Sequence, residues 1–169
     1  PNTKLVAIDD EPVEAAGMLV AAFATSHDCC ASVGYRIETP DGHRIAVATD
    51  LGTVTNPVEA GMAGCELVLL EANYDPVLLR MGSYPPHLKQ RIASLRGHLS
   101  NEDSGRLAVS LHEQGSTRFV LGHLSRENNN PALAHRTVFD ALTYGGAVEG
   151  VDFLLDVAPY DNPGRLVRL

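Results

Sequence analysis

Leu67-Val68-Leu69-Leu70 limits the architecture more than any other stretch: four aliphatic residues in a row, closed by Glu71. A half-buried strand alternates apolar and polar residues, so an unbroken run predicts a strand over Glu66–Ala72 covered on both faces, as in a sheet that carries helices. Strand-like runs precede it at Leu5–Ile8, Met18–Ala24, Val33–Glu38 and Arg44–Thr49, the last two flanking a Pro40-Asp41-Gly42 turn signal. Asn56-Pro57 predicts a short helix with Asn as its cap and Pro in its first turn. Further helices are predicted at about Pro76–Arg80, Pro86–Leu95, Ser100–Gln114 and Pro131–Thr143, and strands at Arg118–Leu121 and Phe153–Val157. Ser100 with Asp103 resembles a capping box. Strands first, then helix and strand in alternation, predict an α/β domain with a mixed sheet, with residues 1–169 as one domain.

At 169 residues, with 44% apolar and 20% charged, the chain has the composition of one globular domain and is not broadly disordered. With no Trp and 5% aromatics, its core must be aliphatic. No apolar run reaches the ~18 residues of a membrane helix. The start carries no basic-then-apolar leader, and it opens on Pro1 without Met, so a processed or partial chain is expected. Cys29 and Cys30 are adjacent and Cys65 stands alone, which predicts reduced thiols and a cytoplasmic setting. The net charge of −8 is uneven: residues 1–79 hold three bases against twelve acids, and residues 80–136 hold eight bases against four acids. A polyanion is poorly attracted by the whole chain but not by its middle, and ordinary solvated helix faces account for the same charges.

Seven histidines are present. His27, His98 and His123, together with Asp50, fall at the ends of predicted strands or at helix starts, where α/β sheets place their ligands. Gly-His-Leu-Ser occurs twice, at 97–100 and 122–125. Histidine and carboxylate are donors that zinc, manganese or iron accept, and an aspartate can bridge two ions. A single such histidine reads as a core or surface residue; four such groups in these contexts read as a site. His43, His87, His112 and His135 lie in a turn or on predicted helices and read as structural or solvated.

In chain order, His27-Asp28 followed by Val33-Gly34-Tyr35, IAVATDLG at Ile45–Gly52, VLLEANYD at Val68–Asp75, YPPHLKQRI at Tyr84–Ile92, GHLSNEDSG at Gly97–Gly105 and LGHLSRENN at Leu121–Asn129 form an ordered set. That set resembles the later part of a metallo-β-lactamase-fold hydrolase, in the YycJ/WalJ-type branch of metal-dependent exonucleases. The resemblance runs from about residue 17 to residue 134. It implies the C-terminal half of a four-layer αββα sandwich. It also implies two divalent ions, zinc or manganese, held in part by His27, Asp50 and His123, with Asp50 bridging. His98 is then the catalytic histidine beside the scissile phosphate. The implied reaction is hydrolysis of a nucleic-acid phosphodiester, DNA first, by a hydroxide activated between two metals.

Around these residues the sequence leaves pairs of roles open. Ser100 and Asn101 are candidate substrate donors, with helix capping a sufficient structural role for both. Asn73 is a candidate substrate contact or a cap for the next turn. Glu71 is expected to orient a metal ligand from behind, and Asp28 to do the same or to shape its own turn. The family's main metal motif, H-x-H-x-D-H, is absent from this chain. Its ligands are expected from a preceding half, in cis or on a partner chain. Two alternatives stay open: a hydrolase of small esters, lactones or cyclic phosphates, and a catalytically inactive half-domain that works as a binding partner.

Overall fold

A computed structural model describes residues 7–8 and 11–160. Within them, β1 (Val13–Ala15) and β2 (Met18–Ala24) form a hairpin. Its two-residue turn, Ala16-Gly17, has positive φ at both positions, 53° and 80°, the backbone shape that matches strand twist. β2 pairs antiparallel with β3 (Val33–Glu38), and β3 with β4 (Arg44–Ala48) across the Pro-Asp-Gly turn. From β4 onward the pairing is parallel, through β5 (Leu67–Glu71), β6 (Arg118–Gly122) and β7 (Leu154–Val157). Among the described residues the strands make one seven-stranded mixed sheet in chain order.

Parallel neighbours in chain order need crossovers. α1 (Asn56–Met62) joins β4 to β5, and α5 (Pro131–Tyr144) joins β6 to β7. Between β5 and β6 come α2 (Pro76–Met81), α3 (Pro86–Ile92) and α4 (Asn101–Glu113). Right-handed crossovers that advance in one direction put their helices on one face of the sheet. That face is the core: Ala46, Ala48, Val68, Leu70, Phe119 and Leu121 pack with Val58 and Met62 of α1, Leu107 and Leu111 of α4, and Val138 and Leu142 of α5. Gly105 helps α4 lie close to α5, since a Cβ there would sit 3.0 Å from the Ala141 Cβ, a tight contact.

The opposite face is different. Tyr35, Val47, Leu69 and Val120 are register partners in a row across β3 to β6. None of the four is fully buried. The Leu67–Leu70 run is therefore not covered on both faces: Val68 and Leu70 are wholly buried under helices, while Leu67 and Leu69 point to the more open side. The described residues make one helical layer on one sheet.

Other expectations shift by a residue or two. Thr55, not Asn56, caps α1, and makes no side-chain cap bond. α3 stops at Ile92, and β7 starts at Leu154. The β1 strand has no apolar signal in the sequence; it forms because the tight turn folds it onto β2. Of the strand expected at Leu5–Ile8, residues 5–6 lie outside the described residues, and Ala7 and Ile8 have no regular structure.

Candidate metal centre

β2 and β4 run in the same direction, because two antiparallel pairings separate them, and β5 and β6 run with β4. Their C-terminal ends meet at one edge of the sheet, where α/β folds place ligands. Asp50 follows β4, Glu71 ends β5, His123 follows β6, and His27 lies three residues beyond β2. His98 comes from the segment between α3 and α4, which is laced beside the end of β5: Asn73 N donates to Leu99 O at 3.0 Å, and Tyr74 bridges Ser100. His98 thus lies two residues before the helix cap, Ser100, outside any regular element, and not on the helix N-terminus, where its motif suggested it.

The groups converge. Asp50 Oδ1 lies 3.5 Å from His27 Nε2, 3.8 Å from His123 Nδ1 and 3.9 Å from His98 Nδ1. The His98 ring stands between the other two, with centroids 4.9 Å from His27 and 5.2 Å from His123. Two sets have ligand atoms close enough to hold an ion: His27, Asp50 and His98, and Glu71, His98 and His123. His98 belongs to both, so distance alone does not separate it from the ligands.

Hydrogen bonding sets the tautomers. Glu71 is wholly buried, and its Oε1 accepts from Nδ1 of His98 at 2.7 Å and Nδ1 of His123 at 2.8 Å. Its Oε2 accepts from Leu51 N at 2.6 Å. A carboxylate facing two imidazole nitrogens places a proton on each, which leaves each Nε2 lone pair for a ligand. His27 is fixed in the same sense, with Nδ1 against the Gly97 carbonyl at 2.9 Å. Burial pushes the Glu71 carboxyl up, but the hydrogen bonds from His123 and His98 outweigh it and hold the group below its ordinary value. The bond to Glu71 raises His123 above its ordinary value, against burial. Three imidazoles, each with Nδ1 held by an acceptor, and one carboxylate make a donor set that fits a divalent ion of the zinc or manganese type.

The backbone at this edge is strained. Asp50 and His123 have φ of 57° and 55°, the left-handed region that non-glycine residues avoid. His123 follows directly on the end of β6, and Asp50 lies two residues beyond the end of β4. Such strain collects at functional sites. Gly52 completes the turn after Asp50, because a Cβ there would meet the Arg96 and Gly97 backbone at 2.5 Å.

The other candidates lie around this centre. Asp28 Oδ1 is 3.4 Å from His27 Nε2, and both Asp28 oxygens accept from Arg91, which holds the Asp28 carboxyl down to about 2. Arg96 donates to the His27 carbonyl. Two bases of the positive middle segment therefore clamp the His27 loop. Ser100, Asn101 and Asn73, the candidate substrate contacts, are all buried, and their side chains are engaged inside the chain. Ser100 Oγ accepts from Asp103 N at 3.1 Å and donates to Asp103 Oδ2. Asn101 and Asn129 exchange two amide bonds of 3.0 and 2.8 Å. Asn73 Nδ2 donates to the His123 carbonyl at 2.7 Å, holding that strained residue in place. Asn129 was missed in the sequence; it also donates to Ala72 O at 2.8 Å and ties the end of β5 to the loop after β6. Its only signal was the Asn128-Asn129-Asn130 run. His43, His112 and His135 bond elsewhere, to Glu66, Ser116 and Leu155.

Comparison with known proteins bears on the family and the fold. A beta-lactamase superfamily domain model matches residues 1–124. Exodeoxyribonuclease WalJ of Streptococcus pneumoniae serotype 2 (strain D39 / NCTC 7466) is 38% identical over 141 residues, 83% of this chain and 52% of WalJ. The chain spans about half the length of the curated relatives it matches. Among solved structures, the metallo-beta-lactamase fold protein YhfI from Bacillus subtilis superposes with a TM-score of 0.63 at 15% identity, covering 88% of this chain and 49% of YhfI. Zn(2+)-bound PqqB from Methylobacterium extorquens superposes with a TM-score of 0.56 at 22% identity, covering 90% of this chain and 48% of PqqB. The helical layer and sheet are accordingly part of a metallo-β-lactamase fold. With its family model, its ordered motifs and its sheet-edge centre in agreement, the chain belongs to the beta-lactamase superfamily, in the YycJ/WalJ-type branch.

Proposed function

We propose that this chain carries part of the active centre of a metal-dependent exonuclease that hydrolyses DNA phosphodiesters. The observation that carries the reading is the convergence of three imidazoles, each anchored at Nδ1, on Asp50 at the C-terminal edge of the sheet. His27, Asp50 and His123 hold divalent ions, two in the complete centre, with zinc or manganese both suited to the donors. When bound, such ions lower the pKa of a water and polarise a phosphoryl oxygen. Glu71 keeps the protons of His98 and His123 at Nδ1 and fixes both rings. His98 takes and gives a proton at Nε2; protonated there, it donates to a phosphate oxygen or to the leaving oxygen. Arg91 and Arg96 brace the His27 loop so that Nε2 faces Asp50.

Further ligands come from the half of a full-length relative that this chain does not span, joined in cis or supplied by a partner. The open sheet face with Tyr35, Val47, Leu69 and Val120 is where that half packs. No helix among the described residues is long and apolar enough to cross a membrane, and Cys29, Cys30 and Cys65 are all free thiols. The free thiols support activity in the reducing cytoplasm.

The test is metal content and cleavage of end-labelled DNA, measured for this chain alone and for a protein that joins it to the other half of a relative. The expected result is metal-dependent, end-directed cleavage by the joined protein, lost in Asp50→Asn and in His98→Ala, with bound metal retained only in His98→Ala. Equal loss of metal in both variants makes His98 a ligand. The net charge of −8 favours a second reading, hydrolysis of a small ester or cyclic phosphate. Cleavage of such a compound with DNA left intact, and no salt-dependent DNA binding, would establish it in place of the first.

A further inference from the structure

A cleft of about 320 Å³ opens beside the candidate centre, with His98 in its wall. That volume falls within the ~300–1,000 Å³ of small-molecule sites. One side is the turn after Asp50, at Thr53 and Val54; the other is α4, at Asp103, Leu107 and Ser110. Glu59 of α1 and Leu95 after α3 also line it. The walls are held firmly, since Gly52 packs without room for a Cβ against the Arg96–Gly97 backbone.

The chemistry of the lining is mixed. Val54, Leu95 and Leu107 offer apolar surface for a flat ring. Thr53 and Ser110 offer hydroxyls, and Glu59 and Asp103 offer carboxylates. Arg106, the one guanidinium in the lining, is paired with Asp103. Such a lining repels phosphate and accepts hydrogen bonds from amino and hydroxyl groups. The site for an anion is the adjoining metal centre, not the cleft.

From this juxtaposition we infer that the cleft binds the base and sugar of one nucleotide whose phosphate lies at His98 and Asp50, so that the cleft sets which terminal nucleoside is accepted. The inference rests on the nuclease reading for its biological sense but has its own measurement. The chain has no Trp, so Leu95→Trp, at a side chain that is 73% exposed, adds a single reporter at the cleft mouth. Chelator-treated protein is titrated with deoxyadenosine and, separately, with inorganic phosphate. The expected result is a saturable fluorescence change with deoxyadenosine and none with phosphate. Adding Ser110→Phe, which fills the cleft, weakens the deoxyadenosine response at least tenfold. Glu59→Gln, at an exposed position, weakens it less and serves if the filled variant does not fold. No saturable response to deoxyadenosine overturns the assignment, as does a response to phosphate of the same size, or one unmoved by both variants. If deoxyadenosine binds but the joined protein does not cleave DNA, the nuclease reading fails and the cleft assignment stands.

Discussion

His98 Nδ1 and the wholly buried Oε1 of Glu71 are 2.7 Å apart, and the same oxygen also receives His123 at 2.8 Å. One carboxylate therefore fixes two imidazoles that come from different parts of the chain. Glu71→Gln keeps the shape and removes the charge. The amide offers one acceptor and one donor to a pocket that presents only N–H donors, so a donor must face a donor. The variant is expected to bind zinc or manganese about 10–100-fold more weakly and to lose roughly 1–3 kcal/mol of stability. Calorimetric metal titration and urea unfolding measure the two effects. Metal affinity equal to that of the parent chain would remove Glu71 from the centre.

Asp50 and His123 both hold left-handed backbone, which costs an ordinary residue about 1–2 kcal/mol and Asn much less. Both His123→Asn and His123→Val remove the bond to buried Glu71, so the two are compared with each other: His123→Val is expected to unfold at a lower urea concentration than His123→Asn, by an amount of that order. Both variants lose metal. If Val is tolerated as well as Asn, the strain is not intrinsic to the site.

How far the sequence reveals this molecule depends on the kind of signal. The Pro-Asp-Gly hairpin, the Ser100 cap and five helices were legible, because turn chemistry and apolar periodicity are local. The four converging groups were legible because each sits at the end of an element with a recognisable pattern. For Asn101 and Asn73 the sequence left two roles open, substrate contact or cap, because a polar residue beside a catalytic motif looks the same whether it faces solvent or a buried carbonyl. Only tertiary pairing shows that Asn101 serves Asn129 and that Asn73 serves the backbone of His123. The β1 strand was invisible for the same reason, since the turn and the partner strand make it, not its side chains.

At the other edge of the sheet, His43 Nδ1 lies 2.6 Å from Glu66 Oε2, across the starts of β4 and β5. This bond raises His43 above its ordinary value of 6.5. A histidine whose folded value is higher than its unfolded one stabilises the fold fully below 6.5, and the contribution is lost as pH rises through the folded value. The urea midpoint is thus expected to fall on the alkaline side of that window. Glu66→Gln should flatten the fall and return the His43 ring titration, followed by NMR, toward its ordinary value. An unchanged ring titration in Glu66→Gln would assign the shift to another neighbour.

Val47 gives the means to test what covers the open face. It sits mid-row between Tyr35 and Leu69, half-buried in this chain. Glutamate at this position can reach water while the face is open and cannot once a second sheet packs over it. Val47→Glu is therefore expected to change the stability of this chain alone only slightly, as for a surface substitution within about 0.5 kcal/mol. In a protein that joins this chain to the other half of a relative, the same change buries an unpaired charge and should cost about 3 kcal/mol or more. Val68→Glu is the control, because Val68 is fully buried under the helices and should be damaging in both proteins. Equal cost of Val47→Glu with and without the joined half would show that the added half does not pack on this face, and that its ligands would have to reach the centre by another route.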